Sequence, residues 1–178
     1  MSRKPLTEFE LIERFTRASP RRGAGVLLGI GDDAAALTLP RGESLIATVD
    51  AVVDGVHFDD RYAPEAIGWK ALAVNLSDLA AMGATPRWAL CALGVPRGMS
   101  EKRLLAIGKG LAACARRYRV TLVGGNVTRA RSLSLTITAL GGAAPARLIR
   151  RSGARVGDLV MVSGTLGGAL TIARGALV

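Results

Sequence analysis

At 178 residues and 49% hydrophobic composition, the chain is long enough and apolar enough to bury a true core, which argues against general disorder. Met1 to Arg14 is polar and charged, and no apolar run approaches the eighteen or so residues of a membrane span, so the sequence reads as cytoplasmic and unattached to membrane. A formal net charge of +10 raises polynucleotide binding, but the arginines are scattered, aromatics are only 4%, and no nucleic-acid motif occurs, so no nucleic-acid partner is expected.

Thr7-Glu8-Phe9-Glu10 has the form of a capping box and precedes Leu11, Ile12 and Phe15, which predicts an amphipathic helix over 8–17. Residues 21–25 read as a loop. Runs over 34–39 and 45–49 read as strands joined at Pro40-Arg41-Gly42-Glu43, a plausible hairpin, with Asp50 at the end of the second. Pro64 suits the first turn of a long helix through Met82, and Gly83 suits its C-terminal cap. A strand over 88–95, a helix over 100–118 and strands over 120–123 and 133–140 complete an alternating α/β pattern. Beyond Gly142 the composition shifts to Ala, Pro and Arg. Residues 157–164 read as the first strand of a new unit, and Gly167-Gly168 as a helix start. The expected division is therefore 1–142 as an N-terminal domain, and 143–178 as a linker with the truncated start of a second.

The acidic residues are unevenly placed. Seven of the eight aspartates fall between residues 32 and 78; with Glu43 and Glu65, against Arg41, Arg61 and Lys70, that stretch carries −6 and the remainder +16. Crowded carboxylates repel one another, and a hard divalent ion such as Mg2+ is a natural counterweight, because it takes oxygen ligands and bridges carboxylates to phosphate. On the long helix Asn75, Asp78 and Met82 share a face by spacing, so Asp78 is a carboxylate on a mostly apolar helix. It caps a neighbouring turn, pairs with an arginine, or binds metal; the helix alone leaves these open. Gly29-Ile30-Gly31-Asp32-Asp33 is a Gly-rich turn with two carboxylates, and Gly124-Gly125-Asn126-Val127-Thr128-Arg129 follows a short apolar strand. Either is an ordinary turn or a place where backbone amides meet a phosphate. No GxxxxGK[ST] and no strand-linked GxGxxG occurs, which disfavours P-loop and dinucleotide-binding folds. His57 is the single histidine, so a multi-histidine zinc site is excluded. Cys91 and Cys114 lie in apolar settings without CxxC spacing and read as buried, reduced thiols.

Taken together, GIGDDAA (29–35), DAVVDGVHF (50–58), KALAVNLSDLAAMGA (70–84), GGNVTR (124–129) and RSGARVGD (151–158) resemble the thiamine-monophosphate kinase family in order and spacing. The wider superfamily includes aminoimidazole ribonucleotide synthetase, selenophosphate synthetase and a hydrogenase-maturation enzyme. The resemblance implies an α/β (α+β) domain with a mixed sheet and flanking helices that forms a homodimer through that sheet. It further implies ATP and Mg2+ near the subunit interface, and phosphoryl transfer from ATP to thiamine monophosphate, giving thiamine diphosphate. By position it implies Asp33, Thr48, Asp50 and Asp78 as metal ligands, with Asp32 beside them. Gly125, Asn126 and Arg151 fall at nucleotide-binding positions, and His57 at a contact to the thiamine substrate; no catalytic residue is assigned. Three departures follow from the same comparison. Asn126 replaces the family's usual aspartate, which should weaken metal affinity. Val49 replaces a threonine, which should remove an oxygen ligand. The family's C-terminal domain is almost wholly absent after Val178, so turnover by this chain alone is left open. The alternative is a noncatalytic nucleotide-binding dimeric relative.

Overall fold

In a computed structural model, residues 8–162 and Gly164 are described. The elements run α1 (Glu8–Thr16), β1 (Val26–Leu28), β2 (Ala36–Leu37), β3 (Ser44–Val53), α2 (Pro64–Ala81), β4 (Thr85–Val95), α3 (Glu101–Arg117), β5 (Thr121–Arg129) and β6 (Ser134–Ala143), followed by a 3-10 turn at Pro145–Arg147. The fold is a mixed α/β arrangement: a four-stranded sheet of order β3-β6-β4-β5, with β4–β5 parallel and the other pairs antiparallel, flanked by helices.

Helices α2 and α3 follow from local signals. Pro64 opens α2, where the missing N–H costs nothing, and Gly83 closes it at φ 71°. Ser100 caps α3 by accepting from the Arg103 amide, and Arg116 and Arg117 occupy its last turn, where the helix dipole favours cations. The core forms where α2 and α3 meet one face of the sheet. Ile67, Leu72 and Leu79 of α2 and Ile107 and Leu111 of α3 are essentially solvent-free, as are Leu93 of β4 and Leu135 and Ile137 of β6. The opposite face is covered at one end, where Trp88 donates its indole N–H to the Ala24 carbonyl at 3.2 Å. Elsewhere on that face Val49 is 61% exposed.

Four expectations change. The 34–39 run shortens to β2 and pairs with β1, while β3 pairs with β6, so the proposed hairpin across Pro40–Glu43 does not form. Asp50 lies inside β3, which runs on to Val53, because the β6 ladder continues to Ser134. Gly124–Arg129 is strand rather than turn: β5 stays in parallel register with β4 as far as Arg129. Residues 157–162 form no strand and are exposed, and the expected helix start at 167–168 lies outside the described residues. Among the described residues no helix is long and apolar enough to cross a membrane.

Cys91 and Cys114 are free and buried. Burial disfavours the thiolate and pushes both thiols from about 9 up to about 12. Because the folded values lie above the unfolded ones, their contribution to stability is intact below pH 9 and is lost as pH rises towards 12. Iodoacetamide at about pH 8.5 should spare both cysteines in the folded chain and alkylate both in urea. Rapid alkylation without denaturant would show that the thiols are not sequestered.

Candidate functional site

The candidate residues gather at the two edges of the sheet. At the β3 edge, strand alternation puts Thr48 and Asp50 on the helix-facing side, opposite Ala139 and Ile137 of β6. The Thr48 hydroxyl donates to Asp78 Oδ2 at 2.9 Å, tying β3 to α2. Asp78 is thus neither a cap nor the partner of an arginine among the described residues; it is an exposed carboxylate oriented by a hydroxyl. Asn75, expected on the same face, is instead fully buried and donates to the Ala71 carbonyl at 3.0 Å. Asp50 is exposed, and its Oδ1 receives the Ala51 amide at 3.2 Å. Val49 projects to the other face, so a valine there removes no oxygen from the side that carries Thr48 and Asp50, contrary to the sequence expectation.

The loop that follows β3 carries His57. Three backbone bonds fold it tightly: the Val56 and His57 amides both donate to the Val53 carbonyl, and the Gly55 amide to that of Phe58. His57 Nδ1 accepts from the Val53 amide at 3.1 Å, which puts the proton of the neutral ring on Nε2 and leaves that N–H facing outward as a donor. Lys70 of α2 donates to the His57 carbonyl at 2.5 Å and stands 5.0 Å from the Tyr62 ring, fixing the loop to the helix. Sequence reasoning did not single out Lys70, although it opens the most specific of the recognised segments.

At the β5 edge a cavity of about 710 Å³ opens between α1, the 30–35 loop and the strand. Asp32, Asp33, Gly124, Gly125 and Asn126 line it, so two Gly-rich segments ninety residues apart in the chain share one cleft. Gly125 has φ 148°, and a Cβ there would stand 1.9 Å from the Cys91 carbonyl oxygen; only glycine lets β5 lie this close to β4. Asp32 Oδ1 takes the Asp33 amide at 3.1 Å, and both side chains are exposed. Arg151 is exposed in the segment after the 3-10 turn and does not line the cleft.

Asp50, Ile137, Cys91 and Gly125 form one row across the sheet. Three strand spacings, about 14 Å, therefore separate Asp50 from Gly125, with buried core between them. The donor chemistry suits a hard cation: carboxylates and one hydroxyl, without thiolate or paired imidazoles. Among the described residues no three acidic, cysteine or histidine side chains converge on one point. Two carboxylates with a hydroxyl at one edge, or two adjacent carboxylates at the other, are nonetheless enough for Mg2+, which retains water and takes phosphate oxygens for the rest of its shell. The donors fit the ion as two half-sites, not as one cage.

Residues 31–143 match the family described as AIR synthase related protein, N-terminal domain. The chain is similar to the thiamine-monophosphate kinase of Synechococcus elongatus, 48% identical over 138 residues that cover 77% of this chain and 42% of that protein. It is 41% identical to the Haemophilus influenzae enzyme of the same name over 160 residues, covering 90% and 48%. Among solved structures, thiamine-monophosphate kinase from Stenotrophomonas maltophilia superposes with a TM-score of 0.73 at 46% identity, over 86% of this chain and 48% of that one. AaThiL complexed with AMPPCP and TMP superposes with a TM-score of 0.63 at 29% identity, over 88% and 49%. The chain spans about half the length of the curated relatives it matches.

Proposed function

Because the chain belongs to the AIR synthase related protein family through its N-terminal domain, we propose that it is the nucleotide-binding part of a cytoplasmic thiamine-monophosphate kinase. The reaction is transfer of the γ-phosphoryl of ATP to the phosphate of thiamine monophosphate. The observation that carries this reading is the cleft in which the Asp32-Asp33 loop meets Gly124, Gly125 and Asn126. The names and complexes of the relatives supply the substrates.

Phosphoryl transfer asks a protein for positioning and for neutralisation of charge more than for covalent chemistry. Gly125 lets β5 lie close against β4, and in that position the backbone of 124–126 lines the cleft where a phosphate chain would sit. Asp33 with Asp32 at one edge, and Asp50, Asp78 and Thr48 at the other, would hold Mg2+, which when bound offsets the repulsion between two polyanionic substrates. Asn126 contributes a neutral carbonyl where the family has a carboxylate, so affinity for the ion at that edge is lower. His57, held in its Nε2–H form, offers one hydrogen-bond donor to the thiamine substrate. Arg151 supplies a planar charged fork to the phosphates once the segment around it is docked.

The same geometry supports a homodimer, which we propose as part of this reading. The two half-sites lie on opposite edges of one sheet, too far apart to share a short phosphate chain. The sheet face not covered by α2 and α3 exposes Leu45 and Val49, 54% and 61% accessible, beside Thr138 and Leu140. A second copy of the chain seated there would cover those side chains and bring its own edges alongside. We propose the same division as the sequence suggests, 1–142 as the part that binds ATP and dimerises and 143–178 as a linker with the truncated start of a second domain.

The test is incubation of the chain with ATP, Mg2+ and thiamine monophosphate, with chromatographic detection of thiamine diphosphate, alongside calorimetric titration of AMPPCP. Mg2+-dependent binding of AMPPCP is the expected result. Product as well would show that this part of the enzyme turns over by itself and would exclude the noncatalytic relative, and neither binding nor product in folded protein would sink the reading.

A further inference from the structure

We propose that Arg21 is a phosphate-binding residue of the cleft, an assignment that rests on the nucleotide reading above. Three carboxylates line this cavity, from Glu13, Asp32 and Asp33, and Arg21 is the one basic side chain among its described lining residues. It neutralises none of the three: no ion pair joins Arg21 to a carboxylate among the described residues, and Asp32 is turned to the Asp33 amide instead.

What holds Arg21 is a neutral scaffold. Its Nη2 donates to Thr16 Oγ1 at 3.1 Å and, at 3.4 Å, to the Glu13 carbonyl. Thr16 is buried, and its hydroxyl proton is committed to the Ile12 carbonyl at 2.8 Å, so its oxygen is free to accept only. The backbone just before Arg21 is pinned as well, because the Leu122 amide donates to the Pro20 carbonyl at 3.2 Å. That bond ties the arginine to β5 two residues before Gly124. One nitrogen of the guanidinium is therefore anchored while Nε and Nη1 have no protein partner among the described residues, in a cleft walled by Gly-rich backbone. A pre-oriented guanidinium with a free edge suits a phosphate oxyanion, which accepts two parallel N–H donors. Carboxylates without such a cation would repel a polyphosphate, and Arg21 reverses that locally.

Calorimetric titration of the full chain with AMPPCP and with adenosine, both with Mg2+, tests the assignment. Arg21→Gln should weaken AMPPCP about tenfold and leave adenosine unchanged, because only the phosphate contact is lost. Arg21→Lys should recover part of the loss as a point charge. Thr16→Val should fall between wild type and Arg21→Gln by releasing the anchored nitrogen. AMPPCP binding by Arg21→Gln within twofold of wild type would overturn the assignment alone, and equal losses for AMPPCP and adenosine would overturn it by revealing a structural role. Absence of binding by the wild-type chain would overturn the nucleotide reading and this assignment with it.

Discussion

Replacing Asp50 by asparagine should lower Mg2+-dependent nucleotide affinity on the order of 100-fold, since even residues that merely orient a metal ligand are worth 10–100-fold. The fold should survive. Asp50 is exposed on edge strand β3, its side chain accepts one hydrogen bond among the described residues, from the next amide, and asparagine keeps an oxygen at the same place for it. The loss is therefore that of a charge. Asp78 already shares its carboxylate with the Thr48 hydroxyl, so Asp50 would be the less committed ligand of the proposed half-site. Asp59→Asn provides the control. That carboxylate grips Arg61 at 2.6 and 2.9 Å, and those hydrogen bonds hold its acid below the usual carboxylate range, yet the pair is solvent-exposed and contributes little to stability. The two variants remove the same charge from places a few residues apart along the chain. If Mg2+ titrations of AMPPCP binding are unchanged in Asp50→Asn, or fall equally in both, the β3 edge does not hold the ion.

The helices were legible because their signals are local: Pro64 and Gly83 bracket α2, and Ser100 caps α3. The strands were less so. The strand-like run over 34–39 is real, but its partner is the three-residue β1, which carries no turn signal of its own, and a pairing chosen by tertiary packing cannot be read from either run. In the sequence Gly124-Gly125 reads as a turn, because paired glycines usually make one. Here they serve a parallel ladder, where Gly125 fits against the Cys91 carbonyl. The same limit applies to the site. The crowding of aspartates is visible in composition, whereas their partition between two sheet edges depends on the strand order β3-β6-β4-β5, which arises from pairings far apart in the chain. Arg21 and Lys70 carry no pattern that separates them from other basic residues. Their partners, Thr16 and the His57 carbonyl, are found only in the folded chain.

Gly110→Ala should destabilise the protein by roughly 3 kcal/mol or more, the upper range for overpacking a filled core. Helix propensity argues the other way, since alanine inside a helix gains about 1 kcal/mol over glycine. Geometry decides between them. A Cβ on Gly110 would stand 1.8 Å from the Glu65 carbonyl oxygen, and one on Gly68, from the facing helix, 1.9 Å from that of Ile107. Both obstacles are backbone, so no side chain can swing aside; α2 and α3 must separate. Such a separation loosens Ile67, Ile107 and Leu111, which are solvent-free at this crossing. It also shifts α2 against β3, and Asp78 rides on α2 while Thr48 does not. The substitution is therefore expected to lower metal-dependent nucleotide binding as well as stability, although Gly110 lines no part of the cleft. Lys109→Ala, one residue away and exposed, should stay within about 0.5 kcal/mol of wild type in urea denaturation. A Gly110→Ala variant as stable as Lys109→Ala would mean that the helices cross with more room than a glycine contact implies, and that α2 is not held in place from this side.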